Sequence, residues 1–313
     1  MRTLVILAIF LTAACAARPS APPATSTSSV AGAPSASVAP APRPAARGSY
    51  AKINGLEMYY EVHGAGAGRP LVLLHGAFCT IEGCFGELLP ALAARRKVIA
   101  VELQGHGRTA DIDRPLRATH MADDTDALLA ALGIPEADVL GYSMGAAVAL
   151  HLAIRHPARV GKLVLVSPAF NRAGFQPGLL EMIGTIKPEM FHGSPMHQAY
   201  LDTAPHPDHW PRFVEKIKEM NREVIDVPPA SIQRLQEPVL LVAGDADMAR
   251  PEHVIELFRL VGGGAMGDMV GPQRSQLAIL PGTHHMGIIS KQKEIAVITA
   301  AFLDAPPVAP PAK

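Results

Sequence analysis

The chain has 313 residues, 49% of them hydrophobic, with 28 basic residues against 28 acidic ones and a formal net charge of zero. That balance removes the electrostatic case for a nucleic-acid partner or an anionic surface. There are no internal repeats, and once the ends are set aside about 255 residues remain, a length that suits one α/β domain around a single core.

The first residues are a separate material. Met1-Arg2-Thr3 opens with a positive charge, Leu4–Leu11 is an eight-residue apolar core, and Thr12-Ala13-Ala14 places small residues before Cys15. This is the pattern of a signal peptide over 1–16, too short to span a bilayer permanently. The run from Leu11 to Cys15 also resembles a bacterial lipoprotein box, although Leu11 stands one place further from the cysteine than is usual. The resemblance implies a lipidated Cys15 as mature N-terminus, a membrane tether, and residence in the periplasm or cell envelope. Ala14-Cys15-Ala16 also fits ordinary cleavage, which gives a freely secreted protein. Residues 17–48 are mostly Ala, Pro and Ser and cannot bury enough surface to offset their ordering entropy, so a disordered spacer is expected. A tail of like composition fills 305–313.

Between those ends, a folded domain over 49–304 is expected. Tyr50–Ile53 and Leu56–Val62 flank Asn54-Gly55 and read as an antiparallel hairpin. Leu71–Leu74 is a buried strand running into His75-Gly76, and Lys97–Leu103 is another before the Gly105-His106-Gly107-Arg108 turn. Ala122–Leu132 has helical spacing, and Val139–Gly141 and Leu163–Val166 are apolar strands. From 169 to 237 the alternation breaks into short amphipathic helices rich in Met, Phe and Trp, interrupted by Pro177, Pro188, Pro195 and Pro205. Strand patterns return at Pro238–Ala243, ending in Asp245 and Asp247, and at Leu277–Leu280, ending in His284 and His285. Strands alternating with helices mean a mostly parallel sheet covered on both faces.

The chemistry concentrates at Gly141-Tyr142-Ser143-Met144-Gly145. A short strand precedes it and the small-residue helix Ala146–His151 follows, the context in which G-x-S-x-G presents a serine at a strained, sharp turn. A serine needs a base and an orienting acid to become a nucleophile. Here an acid pair and then a histidine pair follow in chain order, each at the end of a strand. The backbone after His75-Gly76 is placed to face a developing oxyanion.

Taken together, His75-Gly76, Gly105–Arg108, Gly141–Gly145, Gly244-Asp245-Ala246-Asp247 and Gly282-Thr283-His284-His285 resemble the α/β-hydrolase superfamily over most of 50–304. The nearest likeness is to bacterial serine esterases, lactonases and cofactor-free haloperoxidases. Two departures stand out: Glu102 where the family usually has Asp, and Cys79 and Cys84 crowding the oxyanion loop, either bridged or as two reduced thiols. The resemblance implies an α/β-hydrolase fold with a helical cap at 169–237 after the sixth strand. It assigns Ser143 as nucleophile, His285 as base and Asp247 as the orienting acid, with Asp245 bonding the turn backbone and His284 aside. Met144 N–H is one oxyanion donor and Ala77 or Phe78 N–H the other. Tyr142, Met182, Phe191 and Trp210 are candidate walls of a substrate pocket, with packing of the cap onto the sheet as the alternative for each.

A serine in this place disfavours the dehalogenase and epoxide-hydrolase relatives, which need a carboxylate there. The expected activity is cleavage of carboxylic esters, or of thioesters or lactones, through a Ser-acyl intermediate, with carbon–carbon bond hydrolases still open. Perhydrolase or cofactor-free haloperoxidase behaviour is the runner-up, and a surface lipoprotein that only binds a ligand is the alternative from another class. No cofactor and no metal are expected: His192, His197, His206 and His209 lack a Cys or acidic framework to organise them.

Overall fold

The computed structural model describes residues 48–306 apart from 225 and 272. The 1–16 leader with Cys15, nearly all of the spacer, and the end of the tail lie outside the described residues.

The first two strands, β1 (Gly48–Ile53) and β2 (Leu56–His63), form the expected hairpin. Asn54 and Gly55 both take positive φ, 48° and 87°, as a two-residue hairpin turn requires. β1 begins one residue inside the expected spacer because Gly48 pairs with Glu61. Then come β3 (Leu71–Leu74), α1 (Ile81–Phe85), α2 (Leu88–Ala93), β4 (Val98–Val101), α3 (Ala118–Ala131), β5 (Ala137–Tyr142), α4 (Met144–Arg155) and β6 (Val160–Val166). After the segment between β6 and the next strand, which carries α5 (Leu179–Gly184), α6 (Pro195–Thr203), α7 (Trp210–Arg222) and α8 (Pro229–Gln233), the chain returns through β7 (Val239–Ala246), α9 (Pro251–Leu260), α10 (Gly267–Val270), β8 (Gln276–His284) and α11 (Gln292–Asp304).

The eight strands form one sheet in the order β1-β2-β4-β3-β5-β6-β7-β8. β2 pairs antiparallel with β1 and β4, and all other pairs are parallel. Parallel strands need crossovers, and these place helices on both faces. Alternate residues therefore enter two separate cores. Val72, Leu74, Val139, Leu163 and Leu241 pack with α3, α4 and α9, while Leu71, Leu73, Leu140, Val164 and Leu240 pack with α1, α2 and α11. This is why the strands read as unbroken apolar runs. A third, smaller core lies in the segment after β6, built from Phe191, Tyr200, Trp210, Phe213, Val214 and Ile217 with Leu116. None of the described helices is long and apolar enough to cross a membrane.

Candidate active site

Ser143 sits between β5 and α4 with φ 53° and ψ −114°, a backbone conformation that costs a non-glycine residue about 1–3 kcal/mol. The two flanking glycines are demanded by close approach. A Cβ on Gly141 would lie 2.1 Å from Gly145 O, and one on Gly145 would lie 2.0 Å from Leu74 O. Any side chain at either place would push the strand and helix apart. Ser143 N–H donates to Val166 O at 2.9 Å, and Ser143 O accepts from Ala146 N–H and Ala147 N–H, so the turn is tied to β6 and starts α4 at once. As the first residue of α4, Met144 has no helical carbonyl one turn earlier to accept its N–H, which is left for something outside.

The register of β7 against β8 brings the acid and the base together. Ala246 pairs with His284, so the next residues, Asp247 and His285, leave the sheet side by side. Asp247 Oδ1 stands 2.6 Å from His285 Nδ1, and His285 Nε2 stands 2.9 Å from Ser143 Oγ. A carboxylate only accepts, so Nδ1 carries the proton, Nε2 is the acceptor, and the Ser143 hydroxyl donates to it. Burial alone would push the Asp247 carboxyl up, but His285, the Ser167 hydroxyl and Gly244 N–H donate to it and hold it below its ordinary value. It is an anion at neutral pH.

Around this line stand supports that the sequence did not announce. Ser167 Oγ donates to Asp247 Oδ2 at 2.6 Å, and Ser167 itself takes a positive φ of 52° at the end of β6. The available signal was position: it ends the strand between the one that presents the serine and the one that presents the acid. Tyr142 stacks its ring on His285 at 5.3 Å and donates its hydroxyl to His285 O at 3.0 Å. Only 6% exposed, it packs into the core beneath α1, α2 and α11. Its hydroxyl thus supports His285, a contact beyond the pocket wall expected of it, while its ring lines a small cavity with Phe85, Leu88 and Ile288.

The loop after β3 is built on buried histidines. His75 Nδ1–H donates to Gly76 O at 2.8 Å and Nε2 accepts from Leu103 N–H at 3.1 Å, which joins the ends of β3 and β4. Burial holds its pKa down to about 4. A Cβ on Gly76 would lie 3.4 Å from Ser143 Cβ, so this loop passes directly by the serine. A disulfide ties Cys79, in the loop before α1, to Cys84 within that helix, whose N-terminus is capped by Thr80. Glu102 lies fully buried behind the loop, accepting from Arg108 N–H at 2.5 Å, from the Arg108 guanidinium at 2.9 Å and from Ile81 N–H at 3.5 Å. Burial pushes its carboxyl up to about 7.

The neighbours in each doublet point elsewhere. Asp245 is exposed and accepts from Gly282 N–H at 2.9 Å and Thr283 N–H at 3.0 Å, which pins the end of β8. His284 accepts from Gly287 N–H through Nδ1 at 3.1 Å. Phe191 and Trp210 lie in the small third core, at 6% and 3% exposure, with Trp210 Nε1–H donating to Pro188 O. Phe78 packs against that core from the loop after β3, whereas Met182 is half-buried on α5 outside it. The rings of His206 and His209 lie 4.9 Å apart, and among the described residues no three His, Cys, Asp or Glu side chains are gathered to hold a metal ion.

The alpha/beta hydrolase family matches residues 71–297, from β3 into α11. The chain belongs to this family. Over 115 residues it is 40% identical to a 2-hydroxymuconate semialdehyde hydrolase of Pseudomonas sp. strain CF600, covering 35% of this chain and 40% of that protein. Over 123 residues it is 40% identical to the dihydrolipoyllysine-residue acetyltransferase component of the acetoin cleaving system of Pseudomonas putida, covering 38% of this chain and 32% of that protein. The chain thus spans less than half the length of these curated relatives. Among solved structures it is similar to a meta-cleavage product hydrolase from Pseudomonas fluorescens, with TM-score 0.66, 20% identity, and coverage of 82% of this chain and 97% of the other. A membrane phospholipase A described as a bacterial virulence factor gives TM-score 0.68, 22% identity and coverage of 83% and 86%. At these identities the likeness shows the fold.

Proposed function

We propose that this α/β-hydrolase family member is a serine hydrolase that cleaves carboxylic esters, or related thioester or lactone bonds, through an acyl group held on Ser143. One observation carries the reading: a serine on a strained turn donates to His285, whose other nitrogen donates to a buried, ionised Asp247. In the acylation step His285 Nε2 takes the Ser143 proton as Oγ attacks the carbonyl carbon. Asp247 keeps the imidazole in the right tautomer and stabilises the imidazolium. Met144 N–H, with Ala77 or Phe78 N–H, stabilises the oxyanion. Collapse breaks the acyl–oxygen bond and His285 gives its proton to the departing alcohol. Water then repeats the sequence on the acyl-enzyme, releasing the acid and restoring Ser143.

Reaction with a fluorophosphonate probe tests the nucleophile. The expected result is a single adduct on Ser143 by intact mass and peptide mapping, absent from Ser143→Ala, which also loses esterase activity. An unlabelled wild-type protein, or full activity in Ser143→Ala, overturns the mechanism. A chain-length series of chromogenic esters then defines the acyl preference.

A second reading rests on the 40% identity to a semialdehyde hydrolase. Hydrolysis of a carbon–carbon bond in a ring-cleavage product would draw on the same three side chains. Turnover of 2-hydroxymuconate semialdehyde faster than of any ester in the series decides for it.

We also propose that the protein is exported and tethered by lipid on Cys15. The Cys79–Cys84 disulfide supports export, since such bridges persist in oxidising compartments.

A further inference from the structure

Phe78 links the oxyanion loop to the segment between β6 and β7. Its backbone lies at φ 58°, a left-handed conformation that a bulky side chain adopts only where its surroundings hold it. Its ring centroid stands 5.0 Å from that of Phe191, 5.5 Å from Phe213 and 5.9 Å from Trp210. Phe191 ends the short turn Pro188–Phe191, while Trp210 and Phe213 lie on α7, so two separate elements grip one ring. Ala77 packs against the same cluster. On the other side the loop is fixed by β3 and by the His75 hydrogen bonds to Gly76 O and Leu103 N–H. The peptide joining Ala77 to Phe78 is thus held from both ends, and it carries Phe78 N–H.

We propose that Phe78 is a positioning residue through which the aromatic core of the cap sets the backbone of the oxyanion loop. The inference rests on the Ser143 acyl-transfer reading. It adds that Phe191 and Phe213 act on turnover through Phe78 without touching substrate. Removing the ring unhooks the loop from the aromatic cluster and leaves its backbone free to sample other conformations, and a misaimed donor costs turnover because it stabilises charge that exists only in the transition state.

Phe78→Gly and Phe78→Leu separate this role from packing. Glycine adopts the same φ without strain but gives the cap nothing to hold, whereas leucine keeps an apolar anchor. With p-nitrophenyl acetate, whose small acyl group makes little demand on a pocket, Phe78→Gly is expected to lower kcat by about tenfold or more with KM within about twofold. Phe78→Leu should recover most of that loss. Phe191→Ala should reproduce it, and the Phe78→Gly/Phe191→Ala double variant should be no worse than either single one, since the two residues act through one contact. Affinity for phenylboronic acid, which forms a tetrahedral adduct on serine, should fall in step with kcat/KM. Trp210 is the single tryptophan of the chain, so its emission is expected to shift when the wild-type serine is phosphonylated and to stay still in Phe78→Gly. If Phe78→Gly keeps its kcat and boronate affinity while only its melting temperature drops, Phe78 is packing and the proposal is wrong. If the wild-type serine takes no phosphonate, the acyl-transfer reading fails first and this inference falls with it.

Discussion

Neighbouring residues in the two doublets carry different duties, and backbone direction decides which. Asp247 turns into the protein and receives His285, while Asp245, two residues earlier, stays at the surface and fastens Gly282 and Thr283. His285→Ala and Asp247→Asn should each lower kcat by about three to four orders of magnitude, while His284→Ala and Asp245→Asn should cost far less. Steady-state kinetics on one ester suffice to check this, and the reverse ranking within either pair moves the role to the neighbour. Adding Ser143→Ala to either of the first two variants should bring little further loss, because such residues act as a unit. The serine was legible because its signal is local: two glycines, a strand and a helix within a few residues. Ser167 was not, because its bond to Asp247 spans 80 positions and depends on β6 lying beside β7. Phe78 was legible only as one of two candidate oxyanion donors; its positive φ and the grip of Phe191 and Phe213 on its ring were not, since nothing local marks a phenylalanine as left-handed.

At the scale of elements, the loops after β3 and β4 are joined by two neutral, fully buried histidines whose rings lie 4.9 Å apart. Burial lowers the pKa of His75 to about 4, and burial with the neighbouring His75 lowers that of His106 to about 3. An unfolded histidine takes its proton near pH 6.5, whereas these two refuse it until well below that. The unfolded chain therefore binds more protons as pH falls, so their contribution to stability is whole above pH 6.5 and is lost on the way down to about 3–4. By pH 5 each should have cost about 2 kcal/mol. Over the same window Glu102, whose carboxyl is raised to about 7, takes up a proton in the folded state and works in the opposite direction, so the comparison of variants is the test. Thermal melts at pH 7 and pH 5 should show a less unfavourable shift for His106→Gln than for the wild type, and equal shifts in the two refute the account. The elements themselves were readable to different degrees. β3, β5, β6 and β7 are unbroken apolar runs because both faces are buried, and Asn54-Gly55 dictated its hairpin. The helices of the cap segment were readable only as a broken amphipathic stretch, since their ends are set by prolines and by contacts with Phe78 and Leu116 rather than by a long period.

At the scale of the whole molecule, the described domain places Ser143, Asp247 and His285 at the ends of three parallel strands, and the family fold was foreseeable because alternating strands and helices mean a parallel sheet and the motifs sit at strand ends, whereas the strand order was not readable from that alternation. Whether Cys79 and Cys84 pair was not foreseeable, as a separation of five residues permits a bridge without requiring one; their Cα atoms stand 6.0 Å apart. The bridge bears on where the protein works. A disulfide beside the proposed active site is at home outside the reducing cytosol, and under the proposed export the signal-peptide pattern of 1–16 would supply the means of getting there: a charged start, an eight-residue apolar core, and small residues before Cys15. If Cys15 becomes a lipidated N-terminus, the Ala/Pro/Ser spacer gives the domain reach from the membrane surface. A single myristoyl-sized chain holds only marginally, so durable anchoring calls for more than one acyl group on the mature end. The native protein is therefore expected to partition into the detergent phase, and its N-terminal peptide to carry acyl chains by mass spectrometry. Cys15→Ser should release it to the aqueous phase or leave the precursor unprocessed, with esterase activity of the folded domain unchanged. A freely soluble mature form that reads from Ala16 or Arg18 on N-terminal sequencing sinks the tether and leaves an ordinary secreted hydrolase.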